Sequence, residues 1–113
     1  MFEERLPTQT WVEALMRRAQ IEGASAFILQ RGDASRGDVL LKVADLKGGA
    51  QAYVPRTSME GARIFVSLES QNVGPDEASV DAYVQRAQAR DRDLWIIEIE
   101  DRDARHFLTE PVE

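Results

Sequence analysis

"RDRDLWIIEIEDRDARHF", residues 90–107, decides how this chain is built. The apolar run from Leu94 to Ile99 is fenced at each end by the tripeptide Asp-Arg-Asp. Charges and turn-forming aspartates at the ends of an apolar β segment keep it soluble and set where it stops. Successive side chains of a strand alternate between faces, so Trp95, Ile97 and Ile99 point one way and Leu94 and Ile96 the other. A strand that is apolar on both faces belongs in the interior of a sheet covered on both sides. The two tripeptides do not make one site. Asp93 and Asp101 are eight positions apart, and at ~3.3 Å per residue an extended strand separates them by roughly 26 Å. Asp101 and Asp103 share one turn, but two carboxylates supply fewer oxygens than a hard cation takes.

Working outward, "FILQ", "VLLKV" and "IFVSL" are likewise apolar on both faces. "ASAFILQR" and "DVLLKVAD", joined by the turn formers of "GDASRG", read as a hairpin. "LKGGA" offers Gly48 and Gly49 for a turn into "QAYVPR", where Pro55 places the third strand at an edge or at its end. "RIFVSLES" is the fourth strand. The segment "TQTWVEALMRRAQIEG" carries Trp11, Val12, Leu15, Met16 and Ala19 at helical spacing, with Thr10 and Glu13 spaced as a capping box and Gly23 as the closing residue. After "QNVGPDEA", Pro75 suits the first position of a second helix, Asp76 and Glu77 suit its dipole, and Val80, Tyr83, Val84 and Ala87 form its buried stripe. The quoted segment then supplies a strand, a turn and a short final strand. The fold class is therefore α+β, an antiparallel-rich mixed sheet of five or six strands with two helices in the order αββββαββ. One helix on each face covers the sheet, although a homodimer buries a second face equally well.

With 113 residues the chain is expected to be a single globular domain, residues 1–113, burying roughly 60–70 per cent of its unfolded surface. There is no cysteine, which excludes disulfides, thiolate catalysis and cysteine-bound metals. No apolar run approaches the ~20 residues of a membrane span. "MFEERLPTQT" has no apolar core of the signal-peptide kind, so a cytoplasmic protein is expected. A net charge of −6 opposes binding to nucleic acid. Twelve of the fourteen basic residues are arginine. They are scattered and lack interleaved aromatic platforms, so composition explains them better than nucleic-acid recognition does.

Taken together, "TWVEALMRRAQ", "RGDASRGDVLLKV" and "RDLWIIEIEDRDARHFL" resemble a bacterial family of small single-domain proteins, domain-of-unknown-function family 1491. The resemblance covers nearly the whole chain. It implies no activity, substrate, cofactor or catalytic residue.

Candidate chemistry is concentrated in the last part of the chain. Glu98 and Glu100 lie two apart on a strand and share a face, with Cα atoms ~6.6 Å apart, a spacing that suits a metal or an acid–base pair. The lone histidine, His106, joins them only if the turn after Asp101 has three residues, so that Glu100 faces His106. A four-residue loop instead sets Glu100 against Arg105 as an ion pair and turns His106 to the apolar face with Trp95. Ala104 fits poorly in the left-handed conformation that the shorter loop requires, which favours the longer one. "RGDASRGD" offers a glycine-bounded loop with Arg36 for an anion, but its spacing matches neither phosphate-binding fingerprint. No cofactor is expected. Two functions from different classes follow: a non-enzymatic accessory or protein-interaction module, self-associating or with a protein partner, and a metal-dependent hydrolase or nuclease using Glu98, Glu100 and His106. The first is favoured, because no catalytic set is recognisable.

Overall fold

The computed structural model of the chain describes residues 6–113; the first five residues of "MFEERLPTQT" lie outside them. Helix α1 (Thr8–Ile21) is followed by strands β1 (Ser25–Gln30), β2 (Val39–Ala44), β3 (Ala50–Thr57) and β4 (Arg63–Ser67). A 3-10 turn (Leu68–Gln71), helix α2 (Glu77–Arg90) and strand β5 (Trp95–Glu100) complete the order. The five strands form one mixed sheet in the order β1-β5-β2-β3-β4.

β5, the strand fenced by the two Asp-Arg-Asp tripeptides, is thus the second strand of the sheet, antiparallel to β1 and parallel to β2. Its alternation sorts the core in two. Trp95, Ile97 and Ile99 join Val39, Leu41, Val43, Tyr53 and Phe65 against α1. Ile96 joins Leu40, Ala44, Ala52 and Leu68 against α2. One helix covers each face, as the two-sided apolar strands require. On the α1 face the C-terminal segment completes the cover. Phe107 and Leu108 pack on the same core, and Arg18 Nε donates to the Phe107 carbonyl at 3.0 Å. Beyond them, Phe65 N donates to the Pro111 carbonyl and Glu113 N to the Phe65 carbonyl, both at 2.9 Å, which occupies the outer edge of β4.

β3 lies between β2 and β4 and runs past Pro55 to Thr57, so the third strand is neither at an edge nor ended there, and the structure corrects four further sequence expectations. β1 and β2 are not a hairpin, because β5 lies between them. The loop that joins them must span two inter-strand spacings, roughly 10 Å, and it closes over the start of β5. Asp33 N donates to the Asp93 carbonyl at 3.0 Å, Trp95 N to the Asp38 carbonyl at 2.8 Å, and Trp95 Nε1 to the Asp33 carbonyl at 2.7 Å. Gly32 and Gly37 permit this approach, since a Cβ on either stands 2.3 Å from the Asp93 carbonyl oxygen.

The sixth strand is also missing among the described residues, where β5 is the last and the tail contributes only an isolated bridge between Phe65 and Val112. Both hydrogen-bonding edges of β5 are taken by β1 and β2, so no edge remains for a hairpin partner. Ala104, in the left-handed region at φ 57°, turns the chain away from the sheet.

The third correction concerns α1. It begins at Thr8, two residues before the expected capping box, and no side chain caps it. The Ala34 and Ser35 carbonyls accept from Gln9 N at 3.0 Å and Thr8 N at 3.4 Å, doing what a cap would otherwise do. The far end follows expectation. Gly23 takes φ 91° and Ala24 N donates back to the Ala19 carbonyl. Lastly, Pro75 precedes α2 rather than opening it. Asp76 is the cap, accepting from Ser79 N at 2.9 Å.

Candidate functional site

Glu98 and Glu100 lie on the α2 face of β5, where the parallel register sets Glu98 beside Lys42 of β2. Lys42 is only 4% exposed, and its Nζ stands 2.7 Å from Glu77 Oε2, 2.7 Å from Asp81 Oδ1 and 3.5 Å from Glu98 Oε1. One ammonium thus ties the first turns of α2 to the two central strands. Burial on its own disfavours its charge. The hydrogen bonds to Asp81 and Glu77 and the charge of Glu98 outweigh that and raise its pKa above the ordinary lysine value. It is a locked cation, not a nucleophile. Burial pushes the Glu98 carboxyl upward, Lys42 opposes this, and neighbouring Glu100 adds to it.

His106 is on the other face. Its ring meets Tyr53 edge-on at 5.3 Å between centroids, and its Nδ1 accepts from Leu108 N at 2.9 Å. Nδ1 is therefore unprotonated, and burial lowers the ring's pKa, which favours the neutral form. The sheet separates this imidazole from Glu98 and Glu100, so the carboxylate–histidine constellation behind a metal-dependent hydrolase or nuclease is not assembled. Among the described residues no group of three or more histidine or acidic side chains is disposed to hold a metal ion.

Arg105 does not pair with Glu100 either. Its Nε and backbone N donate to Asp101 Oδ2 and its Nη2 to Oδ1, at 2.8–2.9 Å. These bonds make Asp101, 6% exposed, the pin of the turn that leaves β5. The Arg105 guanidinium, followed by the bond from its backbone N–H, holds the Asp101 carboxyl at about 2, against an ordinary 3.8. A depressed folded pKa contributes stability that is complete above the unfolded value and is lost as pH falls through the folded one. Asp101→Asn is therefore expected to lower the unfolding free energy by about 2 kcal/mol at neutral pH. It should also flatten the decline between about pH 4 and pH 2. Urea unfolding across that range checks it, and an equal decline in both proteins counts against the assignment.

On the α1 face a cleft of about 800 Å³ opens between α1, the loop before β2, the start of β4 and the C-terminal segment. Trp11 forms part of its wall, stacked on Phe65 at 5.5 Å and donating from Nε1 to Glu110 Oε2 at 2.7 Å. Arg18, Arg36 and Arg63 line it together with Asp38 and Glu110. The anion cradle of "RGDASRGD" backbone groups, which the spacing already disfavours, is not formed. Asp33 Oδ1 already accepts from Ser35 N and Arg36 N at 2.9 and 2.8 Å, and those two bonds depress its own pKa. What the loop presents to the cleft is the Arg36 side chain.

The model of the family described as "Protein of unknown function (DUF1491)" matches residues 6–109. The chain belongs to the DUF1491 family. A DUF1491 protein from Caulobacter crescentus CB15 is 44% identical in both its crystal and its NMR structure. The crystal structure has a TM-score of 0.88, with 96% of this chain and all of that one covered. The NMR structure has a TM-score of 0.85, with 98% and 99% covered. The solution structure of protein Atu0922 from A. tumefaciens, at 24% identity and TM-score 0.75 over 97% and 98% of the two chains, shares the fold. No curated protein matches.

In this DUF1491 protein the notable groups beyond the predicted ones are Lys42, Trp11 and Arg18. Lys42 carried a legible signal, being the one charged side chain inside "VLLKVA". Trp11 and Arg18 carried none, since their partners Glu110 and Phe107 lie 99 and 89 residues away. No helix among the described residues is long and apolar enough to cross a membrane.

Proposed function

We propose that this DUF1491 protein is a cytoplasmic, non-enzymatic interaction module that self-associates through the free edge of β1. One observation carries the proposal. β1 pairs with β5 on one side only, and Phe27, Ile28 and Leu29 remain 46%, 36% and 40% exposed on it. An open strand edge with apolar side chains is a template for another strand. The opposite edge of the sheet, β4, is occupied by the C-terminal segment, which leaves β1 as the place to add one.

A second copy suits this edge. Each chain carries a net charge of −6, so copies must meet where acidic groups are absent, and Ser25–Gln30 contains no charged residue. Antiparallel pairing about a two-fold axis sets the same residues against each other and closes the assembly. The register shift between Ile28 and Gln30 confines regular pairing to Ser25–Ile28. Against an enzymatic role stand the commitment of Glu98 to Lys42 and the isolation of His106. The absence of cysteine accords with a reducing cytoplasm. Sedimentation velocity over a concentration series is expected to show a reversible dimer, and Phe27→Lys to weaken it at least about tenfold. A wild-type protein that stays monomeric throughout overturns the proposal.

A further inference from the structure

The cleft on the α1 face has a chemistry that the β1 edge does not explain. The chain holds an excess of acidic groups, yet two guanidiniums lining one cavity, those of Arg18 and Arg36, have no carboxylate in ion-pair contact among the described residues. Arg18 is anchored by the bond from Nε to the Phe107 carbonyl, while its Nη2 is buried and has no hydrogen-bond partner among the described residues. Buried polar groups are as a rule satisfied, and each exception asks what completes it. Arg63, its guanidinium 5.5 Å from the Phe65 ring centre, adds a third positive charge to the wall.

The rest of the lining limits what fits. Leu6, Trp11, Ala14 and Pro111 make apolar wall. A volume of about 800 Å³ is far larger than a bare inorganic ion needs and lies in the range of small-molecule sites. Planar guanidiniums recognise phosphate and carboxylate oxygens through paired N–H donors. Asp38 and Glu110 also line the cleft, the latter engaged by Trp11 Nε1, so three guanidiniums stand against two carboxylates beside an aromatic and aliphatic surface, a combination that matches a ligand with an anionic head and an apolar body.

We propose that this cleft is a binding site for a small organic anion, its phosphate or carboxylate head held by Arg18 and Arg36 and its apolar body laid along Trp11. The site is separate from the β1 edge, so it stands or falls independently of self-association.

The test is an NMR titration of the intact chain with phenyl phosphate, read at the Trp11 indole N–H and the backbone amides of residues 35–38. Benzoate and inorganic phosphate serve as parallel probes. Saturable shifts confined to the cleft are expected with phenyl phosphate or benzoate, and the tighter of the two identifies the head group. Inorganic phosphate, lacking the apolar body, is expected to bind at least about tenfold more weakly. Arg36→Gln, at an exposed position that leaves folding intact, should weaken binding about tenfold. Arg18→Gln should do the same, and Arg86→Gln, on the opposite face, should change nothing. Shifts that never saturate with either organic probe, or dissociation constants that Arg36→Gln leaves unaltered, overturn the proposal.

Discussion

Trp95→Ala is expected to lower the unfolding free energy by about 4 kcal/mol, more than any other single truncation in the sheet. Trp95 has no exposed surface and is the largest fully buried side chain of the described residues. Truncation removes the apolar contacts of the indole and leaves a cavity that flanking strands on both sides of β5 prevent from collapsing. It also removes the Nε1 hydrogen bond to the Asp33 carbonyl, which closes the loop between β1 and β2 over the start of β5. The Arg31 guanidinium, 5.2 Å from the ring centre, loses its platform as well. Trp95→Phe separates these contributions. It keeps most of the apolar volume and forfeits the N–H, so its cost should be about half as large. Urea unfolding of the three proteins measures both differences. If alanine costs no more than phenylalanine, the indole is not what the core is built around.

How far the fold can be read from the sequence is visible in β5 itself. Its two-sided apolar alternation requires an interior position and cover on both faces, and the structure has both. Local patterning does not tell which strands flank it. The turn formers of "GDASRG" signal a reversal equally well whether the strands they join are neighbours or stand one strand apart. What decides the matter is that Gly32 and Gly37 pass within contact of the Asp93 carbonyl, a residue some sixty positions away. The C-terminal hairpin fails for the same reason. Ala104 does adopt the left-handed conformation that the shorter loop required, but β1 and β2 had already filled both edges of β5. The choice between the two registers of that hairpin does not arise, because the topology removes the hairpin.

The candidate carboxylates were legible because strand periodicity places Glu98 and Glu100 on one face whatever the topology. Their partner was not. Lys42 reaches Glu98 only because β2 and β5 run parallel in register, and it reaches Glu77 and Asp81 only because α2 lies over β2 and β3. The cleft was less legible still, since its wall joins α1, the loop before β2, the start of β4 and the chain's last residues.

Lys42→Met is expected to cost about 3 kcal/mol near neutral pH although it keeps the aliphatic stem. The loss is electrostatic in origin. Glu77 and Asp81 are partly exposed and can turn to water, but Glu98, with a side chain 14% exposed, is left beside Glu100 with no cation. Breaking one member of a buried ion set strands the remaining charge, which costs more than the set contributes when intact. Two consequences distinguish this from simple loss of packing. Burial already raises the Glu98 carboxyl above its ordinary value, and only Lys42 pulls it back. A group whose folded pKa is raised favours the folded state when protonated, so the variant regains stability as pH falls through that value. In the wild type Lys42 opposes that rise, so the same fall in pH returns less stability. The gap between the two proteins should therefore narrow toward about pH 4. Adding Glu98→Gln to Lys42→Met removes the stranded charge and should recover about 1 kcal/mol or more at neutral pH. Urea unfolding of the single and double variants across this pH range decides it. A gap that is constant with pH, together with no recovery in the double variant, would mean that Lys42 serves the fold through its stem alone.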